Sequence, residues 1–151
     1  MNLKVLLVVI SVVMLAACKK SIGSKQSNLT LTGVSTRSVT VNSTIAFNFE
    51  FSHPYSGNIT DTLGIKIIYK TCTFKQSDTT FMAVPVFSNT PNQICKMEYD
   101  FIFGGNGEFT TGCSNNANIY KSDSCYFQFW LIDRNSNSSD TISSPMVFLN
   151  Q

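Results

Sequence analysis

The sequence predicts an all-β fold, a Greek-key β-sandwich of seven or eight strands, and three observations carry that expectation. Apolar and polar residues alternate with a period of two in several runs, most cleanly in Ile45-Ala46-Phe47-Asn48-Phe49-Glu50-Phe51. The 12 phenylalanines, with many Val, Ile and Thr residues, fall mostly inside such runs, where aromatic and β-branched side chains fit a pleated surface better than a helix. Gly, Pro, Asn, Asp and Ser then separate the runs at short intervals, the spacing of a sheet protein built from hairpins and crossovers.

Taken in order, Leu29 to Val34 and Val39 to Val41 alternate and read as the first two strands. Ile45 to Phe51 places Ile45, Phe47, Phe49 and Phe51 on one face and Glu50 on the other. Ser52 to Asn58 is a loop by composition, and Gly64 to Phe74 is a second long strand. Phe81 to Phe87 is a third, confined to a sheet edge by Pro85, which has no amide hydrogen to donate. Cys95, Met97, Tyr99, Phe101 and Phe103 share one face, with Lys96, Glu98 and Asp100 opposite. Gly104 to Gly107 supplies the positive φ angles of a tight turn, and Glu108 to Thr111 begins a return strand. Tyr126 to Ile132 is apolar except at Gln128, which predicts a central strand covered on both faces. Thr141 to Leu149 closes the domain through Pro145. The architecture is immunoglobulin-like or fibronectin-like, without the Cys…Trp…Cys spacing of true immunoglobulin domains.

The start of the chain has a different character. Lys4 precedes an apolar run from Val5 to Ala17, interrupted only by Ser11, and Lys19-Lys20 follows. The run falls short of the ~20 residues that a bilayer-spanning helix needs and fits the hydrophobic region of a signal peptide. Leu15-Ala16-Ala17-Cys18 resembles the lipobox of bacterial lipoproteins. That resemblance implies cleavage before Cys18 and acylation of its thiol. The chain then divides into a signal peptide at 1–17, a polar tether at 18–28 and a single β-sandwich domain at 29–151.

Composition narrows the partners. Formal net charge is only +2 and charged residues make up 13%, so no basic patch marks a nucleic-acid surface. Besides Cys18 there are Cys72, Cys95, Cys113 and Cys125, an even number that in an exported protein reads as two disulfides. Three connectivities are open, of which Cys72–Cys95 and Cys113–Cys125 is favoured: the second pair brackets one polar loop, and an antiparallel arrangement would put the first pair at one end of the sandwich. The closed loop would hold Asn115, Asn116, Asn118 and Tyr120 as a fixed set of hydrogen-bonding groups beside one aromatic face, suited to a glycan or protein ligand. Four thiolates without a Cys-x-x-Cys pair do not have the spacing of a zinc site, and neither a metal nor a cofactor is expected.

Catalytic patterns are sparse. His53 lies in a Ser-His-Pro loop with no evident nucleophile, and reads as a turn residue. Asp133-Arg134-Asn135-Ser136-Asn137 matches the first half of a calcium loop, but Ser138 and Ser144 stand where the glycine and the glutamate belong, so an inter-strand turn is expected. Trp130, inside the apolar strand, is expected in the core. No enzyme is predicted.

Asp61-Thr62-Leu63, Asp78-Thr79-Thr80 and Asp140-Thr141-Ile142 resemble the acceptor motif of protein O-glycosylation in Bacteroidetes-type bacteria, and the Phe-rich strand with the turn from Asp133 to Asp140 is similar to small immunoglobulin-like lipoproteins of that group. The resemblance implies modification at Thr62, Thr79 and Thr141, and a protein held in the cell envelope, at the outer membrane, by acyl chains on Cys18. The expected role is a non-catalytic binding or presentation module. An adhesin or pilus-type subunit, which needs an open sheet edge, is the first alternative. A small hydrolase or hydrolase inhibitor is the second.

Overall fold

The computed structural model describes residues 27–52, 57–58, 61–72, 77–85, 88–89, 93–104 and 122–150. These residues form β-strands and turns without a helix. Cys18, His53, Cys113 and the loop carrying Asn115, Asn116, Asn118 and Tyr120 lie outside them.

One sheet has three antiparallel strands: β1 (Asn28–Val34), β3 (Thr44–Ser52) and β8 (Ile94–Ile102), with β3 in the centre. The second runs in the order β2-β11-β9-β5-β6, from β2 (Ser38–Thr40) through β11 (Val147–Asn150), β9 (Asp123–Ile132) and β5 (Thr62–Tyr69) to β6 (Ser77–Ala83). Short β10 (Ile142–Ser143) also pairs with β9, while β4 (Gly57–Asn58) and β7 (Ser88–Asn89) pair with each other. β2 runs parallel to β11, with Val39 opposite Leu149; the other pairings are antiparallel. Consecutive β1 and β2 therefore lie in different sheets, and the chain crosses between them at Ser35 to Arg37.

Period-two alternation fixes the core. In β3, Ile45, Phe47, Phe49 and Phe51 are buried while the residues between them are half-buried, as the sequence predicts. Phe47 meets Phe127 of the opposite sheet at 4.7 Å between ring centroids, Phe49 meets Phe129 at 4.8 Å, and Phe101 meets Phe127 at 5.0 Å. These tilted and edge-to-face contacts join the two inner faces. Ile65, Ile67, Leu131, Val147 and Leu149 complete the layer.

Two strands differ from expectation. β9 alternates strictly between buried and half-buried rather than being covered on both faces. The closing segment is broken at Pro145 into β10 and β11. Serine hydroxyls continue the pairing at the gaps: Ser144 Oγ accepts from Phe127 N at 2.9 Å, and Ser139 Oγ accepts from Leu131 N at 2.9 Å. The strand expected over Gly64 to Phe74 is Thr62–Tyr69, and that expected from Phe81 is Ser77–Ala83, which stops before Pro85 and lies at a sheet edge as the proline requires.

Candidate functional site

Register places the two ends of the sandwich. Asn28, where β1 begins, pairs with Ser52, and Phe51 stands opposite Cys95. Phe51 and Leu63 line one groove, so the start of β5 lies at this same entry end. At the far end, Tyr69 closes β5 opposite Cys125, and Phe103 follows β8, its carbonyl accepting from Asn42 N. The segment that carries Asn115, Asn116, Asn118 and Tyr120 is rooted at Gly104 and Ser122, both at the far end. Gly104 has φ 77°, a conformation glycine adopts without steric cost.

The far end is tied by Asp123. Its Oδ1 accepts from Thr71 N at 3.0 Å, from Ser124 N at 2.6 Å and from the Thr71 hydroxyl. Lys70 N donates to Ser124 O at 2.8 Å, so the chain leaving β5 stays bound to the start of β9. Lys70 Nζ sits 5.0 Å over the Tyr126 ring.

The expected disulfide pairing is corrected here. Cys95 and Cys125 are free thiols, so neither Cys72–Cys95 nor Cys113–Cys125 forms. Cys72 is bridged, to a partner outside the described residues. The reason is strand direction: β5 and β8 both run from the entry end to the far end. A cysteine just after β5 and one early in β8 then lie at opposite ends of the sandwich. Cys125 fails for a different reason: its side chain faces the core with 0% exposure, not the loop.

Of the threonines, Thr79 is exposed on edge strand β6 and Thr141 is exposed before β10, whereas Thr62 is half-buried on β5, which is paired on both sides. Asp133 Oδ1 accepts from Asn135 N and Asn137 N, each at 2.8 Å, and Oδ2 accepts from Asn137 Nδ2 at 2.9 Å. This is a side-chain-closed turn with Ser136 at φ 63°, in agreement with the turn read from the sequence.

Trp130 is a second correction. It points away from the core, on the outer face of the six-stranded sheet, directly across from Gly64. A β-carbon built on Gly64 would meet Trp130 Cε2 first, with its bonded neighbours Cζ2 and Nε1 both at 2.5 Å. That equidistance is the pattern of a ring met on its face, so the indole lies flat on the Gly64 backbone with its other face outward. Phe81, across Gly64 on β6 and 55% exposed, stands beside it at 6.0 Å and 84°. The next cross-strand row is polar: Thr79, Lys66, Gln128 and Ser143. Sequence reasoning passes over this face because an outward Trp within an apolar run has the same letters as a buried one. The available signal is Gly64 in mid-strand, which marks a close approach.

A groove of about 370 Å3 opens between edge strands β6 and β8, with Phe51, Leu63, Val84 and Tyr99 in its floor and Lys96 and Glu98 among its lining residues. Among the described residues no group of three or more His, Cys, Asp or Glu side chains is placed to hold a metal ion.

The sequence matches no protein-family model and no curated protein. Solved structures share its fold. A β-glucosidase from Erythrobacter marinus is 8% identical with a TM-score of 0.56, the match covering 82% of this chain and 15% of that one. A β-glucosidase from Listeria innocua in complex with isofagomine is 6% identical with a TM-score of 0.54, over 83% and 16%. The alkylpurine DNA glycosylase of Pseudomonas fluorescens, bound to DNA containing an abasic site analogue, is 7% identical with a TM-score of 0.53, over 83% and 31%. The chain therefore spans less than a third of each of these proteins, and the likeness is one of fold alone.

Proposed function

We propose that this chain is a lipid-anchored cell-envelope protein, acylated at Cys18, whose immunoglobulin-like Greek-key domain binds or presents a partner and does not catalyse a reaction. The observation that carries the reading is the opposition of the two ends. The tether joins the sandwich at Asn28, beside Ser52, while the segment with Asn115, Asn116, Asn118 and Tyr120 is rooted at the other end. An anchor at Cys18 would thus hold that segment away from the membrane, and about ten residues of polar tether have an r.m.s. span of ~17 Å. The immunoglobulin-like assignment is supported by the strand order, β1-β3-β8 facing β2-β11-β9-β5-β6 with β2 parallel to β11. The resemblance to Bacteroidetes lipoproteins adds O-glycosylation, proposed first at the exposed Thr79 and Thr141 and last at Thr62. The test of the anchor is Cys18→Ser, which is expected to move the protein from the membrane to the soluble fraction and abolish acyl labelling; unchanged fractionation would overturn it.

The groove between β6 and β8 favours a second reading, an adhesin or pilus-type subunit. Among the described residues both flanking strands stand at the ends of their sheets, and the floor is apolar, which suits an added strand. Assemblies larger than a monomer in native mass measurements would support it, and a monomer at all concentrations would remove it.

A further inference from the structure

We propose that the outer face of the six-stranded sheet is a binding site for acidic glycans, in which a pyranose ring stacks on the open face of Trp130 and its carboxylate pairs with Lys66. The proposal rests on the reading of the domain as a binding module, but it uses a surface distinct from the far-end loops.

The geometry supplies each element that a sugar requires. A pyranose presents one apolar C–H face and a rim of hydroxyls, so its site needs a flat aromatic surface beside hydrogen-bonding groups. Trp130 is held flat because Gly64 has no side chain to lift it, and Phe81 stands perpendicular to it as a wall. A ring seated on the indole would meet the row Thr79, Lys66, Gln128 and Ser143, one cross-strand step away. These side chains offer two hydroxyls, an amide and an ammonium.

Charge selects the class of sugar. The outward positions of β6 are Ser77, Thr79, Phe81 and Ala83, and those of β5 are Thr62, Gly64, Lys66 and Ile68. Those of β9 are Ser124, Tyr126, Gln128, Trp130 and Ile132. None is Asp or Glu. Lys66 lies in the centre of this face, and Lys70, held over Tyr126, adds a second cation toward the far end. Asp78, whose Oδ1 accepts from Thr79 N, stands on the opposite phase of β6, so the charged positions on this face are cationic and favour a uronic acid over a neutral hexose.

Trp130 is the only tryptophan, so its fluorescence reports directly on its environment. The full-length chain in detergent is titrated with oligogalacturonate, mannuronate oligomers and hyaluronan oligomers, and in parallel with cello-oligosaccharides of equal length. The proposal expects a saturable change in indole emission with at least one acidic oligomer, binding about tenfold weaker for the neutral ones, and loss of that preference in Lys66→Gln. Phe81→Ala is expected to weaken acidic and neutral oligomers alike, and Trp130→Ala, followed by calorimetry, to abolish binding. No response to any acidic oligomer, equal affinity for neutral ones, or unchanged preference in Lys66→Gln would each overturn the proposal. Lys66→Gln leaves the core untouched, and circular dichroism verifies its fold. None of these outcomes bears on Cys18 or the far-end segment, so failure here is distinguishable from failure of the anchored-module reading.

Discussion

Trp130 can lie flat on the sheet only because Gly64, its cross-strand partner, has no side chain: a β-carbon there would stand closer to the indole than real side-chain contacts allow. Gly64→Ala is therefore expected to push the indole off the sheet, while the core behind it keeps its packing. The expected cost is ~1–3 kcal/mol from overpacking. The single tryptophan should shift its emission to longer wavelength as water reaches it. Emission unchanged from wild type, with stability also unchanged, would mean that the ring does not rest on Gly64.

The inner layer supports a prediction of opposite character. Phe127 is fully buried and touches Phe47, Phe101 and Phe129, linking rings from three strands across the two sheets. Phe127→Ala should cost about 3–5 kcal/mol by loss of transfer energy and creation of a cavity. Urea midpoints measured against Phe148→Ala, on an outward position that is 51% exposed, give the contrast. The surface change is expected to stay within ~0.5 kcal/mol of wild type.

Asp133 supports a third. Its carboxylate receives three donors from Asn135 and Asn137 and closes the turn that follows β9. Asp133→Ala leaves those amides to water and is expected to cost ~1–2 kcal/mol. The carboxylate is already engaged by N–H groups, so calcium is expected to leave the melting temperature of wild type unchanged. A calcium-dependent rise would revive the metal-loop reading.

Physical periodicity explains how much of this was legible beforehand. One face of β3 was readable because its inward positions are uniformly large and apolar while its outward ones are not. The same rule failed on β9, where Trp130, Tyr126 and Ile132 are apolar on the outward phase, so burial on both faces and an aromatic outer face read alike. The pairing of Cys72 with Cys95 failed because it depends on the direction of each strand, and β5 and β8 run the same way rather than oppositely. The closing strand was expected to run unbroken from Thr141 to Leu149, although its break at Pro145 was signalled by the missing amide hydrogen. That Ser139 and Ser144 would fill the gaps was not, since a serine near a strand end has many other uses.

The free thiols carry the last prediction, which concerns pH. Burial, with a smaller contribution from the Asp123 charge, pushes the Cys125 thiol from 9.0 up to about 12. The phenol of neighbouring Tyr69 is raised as well, chiefly by burial. In the unfolded chain the Cys125 thiol would ionise near 9, so between about 9 and about 12 the native state holds more protons than the unfolded one. Stability must then fall with rising pH across that window, by up to ~1.4 kcal/mol per pH unit for a single group, and be insensitive to Cys125 below it. Unfolding by urea at a series of pH values is expected to show this decline, with a shallower slope in Cys125→Ala after its overall loss of stability is subtracted. Cys125 should also resist alkylation at pH 8 until the protein unfolds. Labelling of unreduced, unfolded protein should then find Cys95 and Cys125 but not Cys72. A Cys125 that reacts freely in the native protein would place it outside the core and remove the basis of the alkaline window.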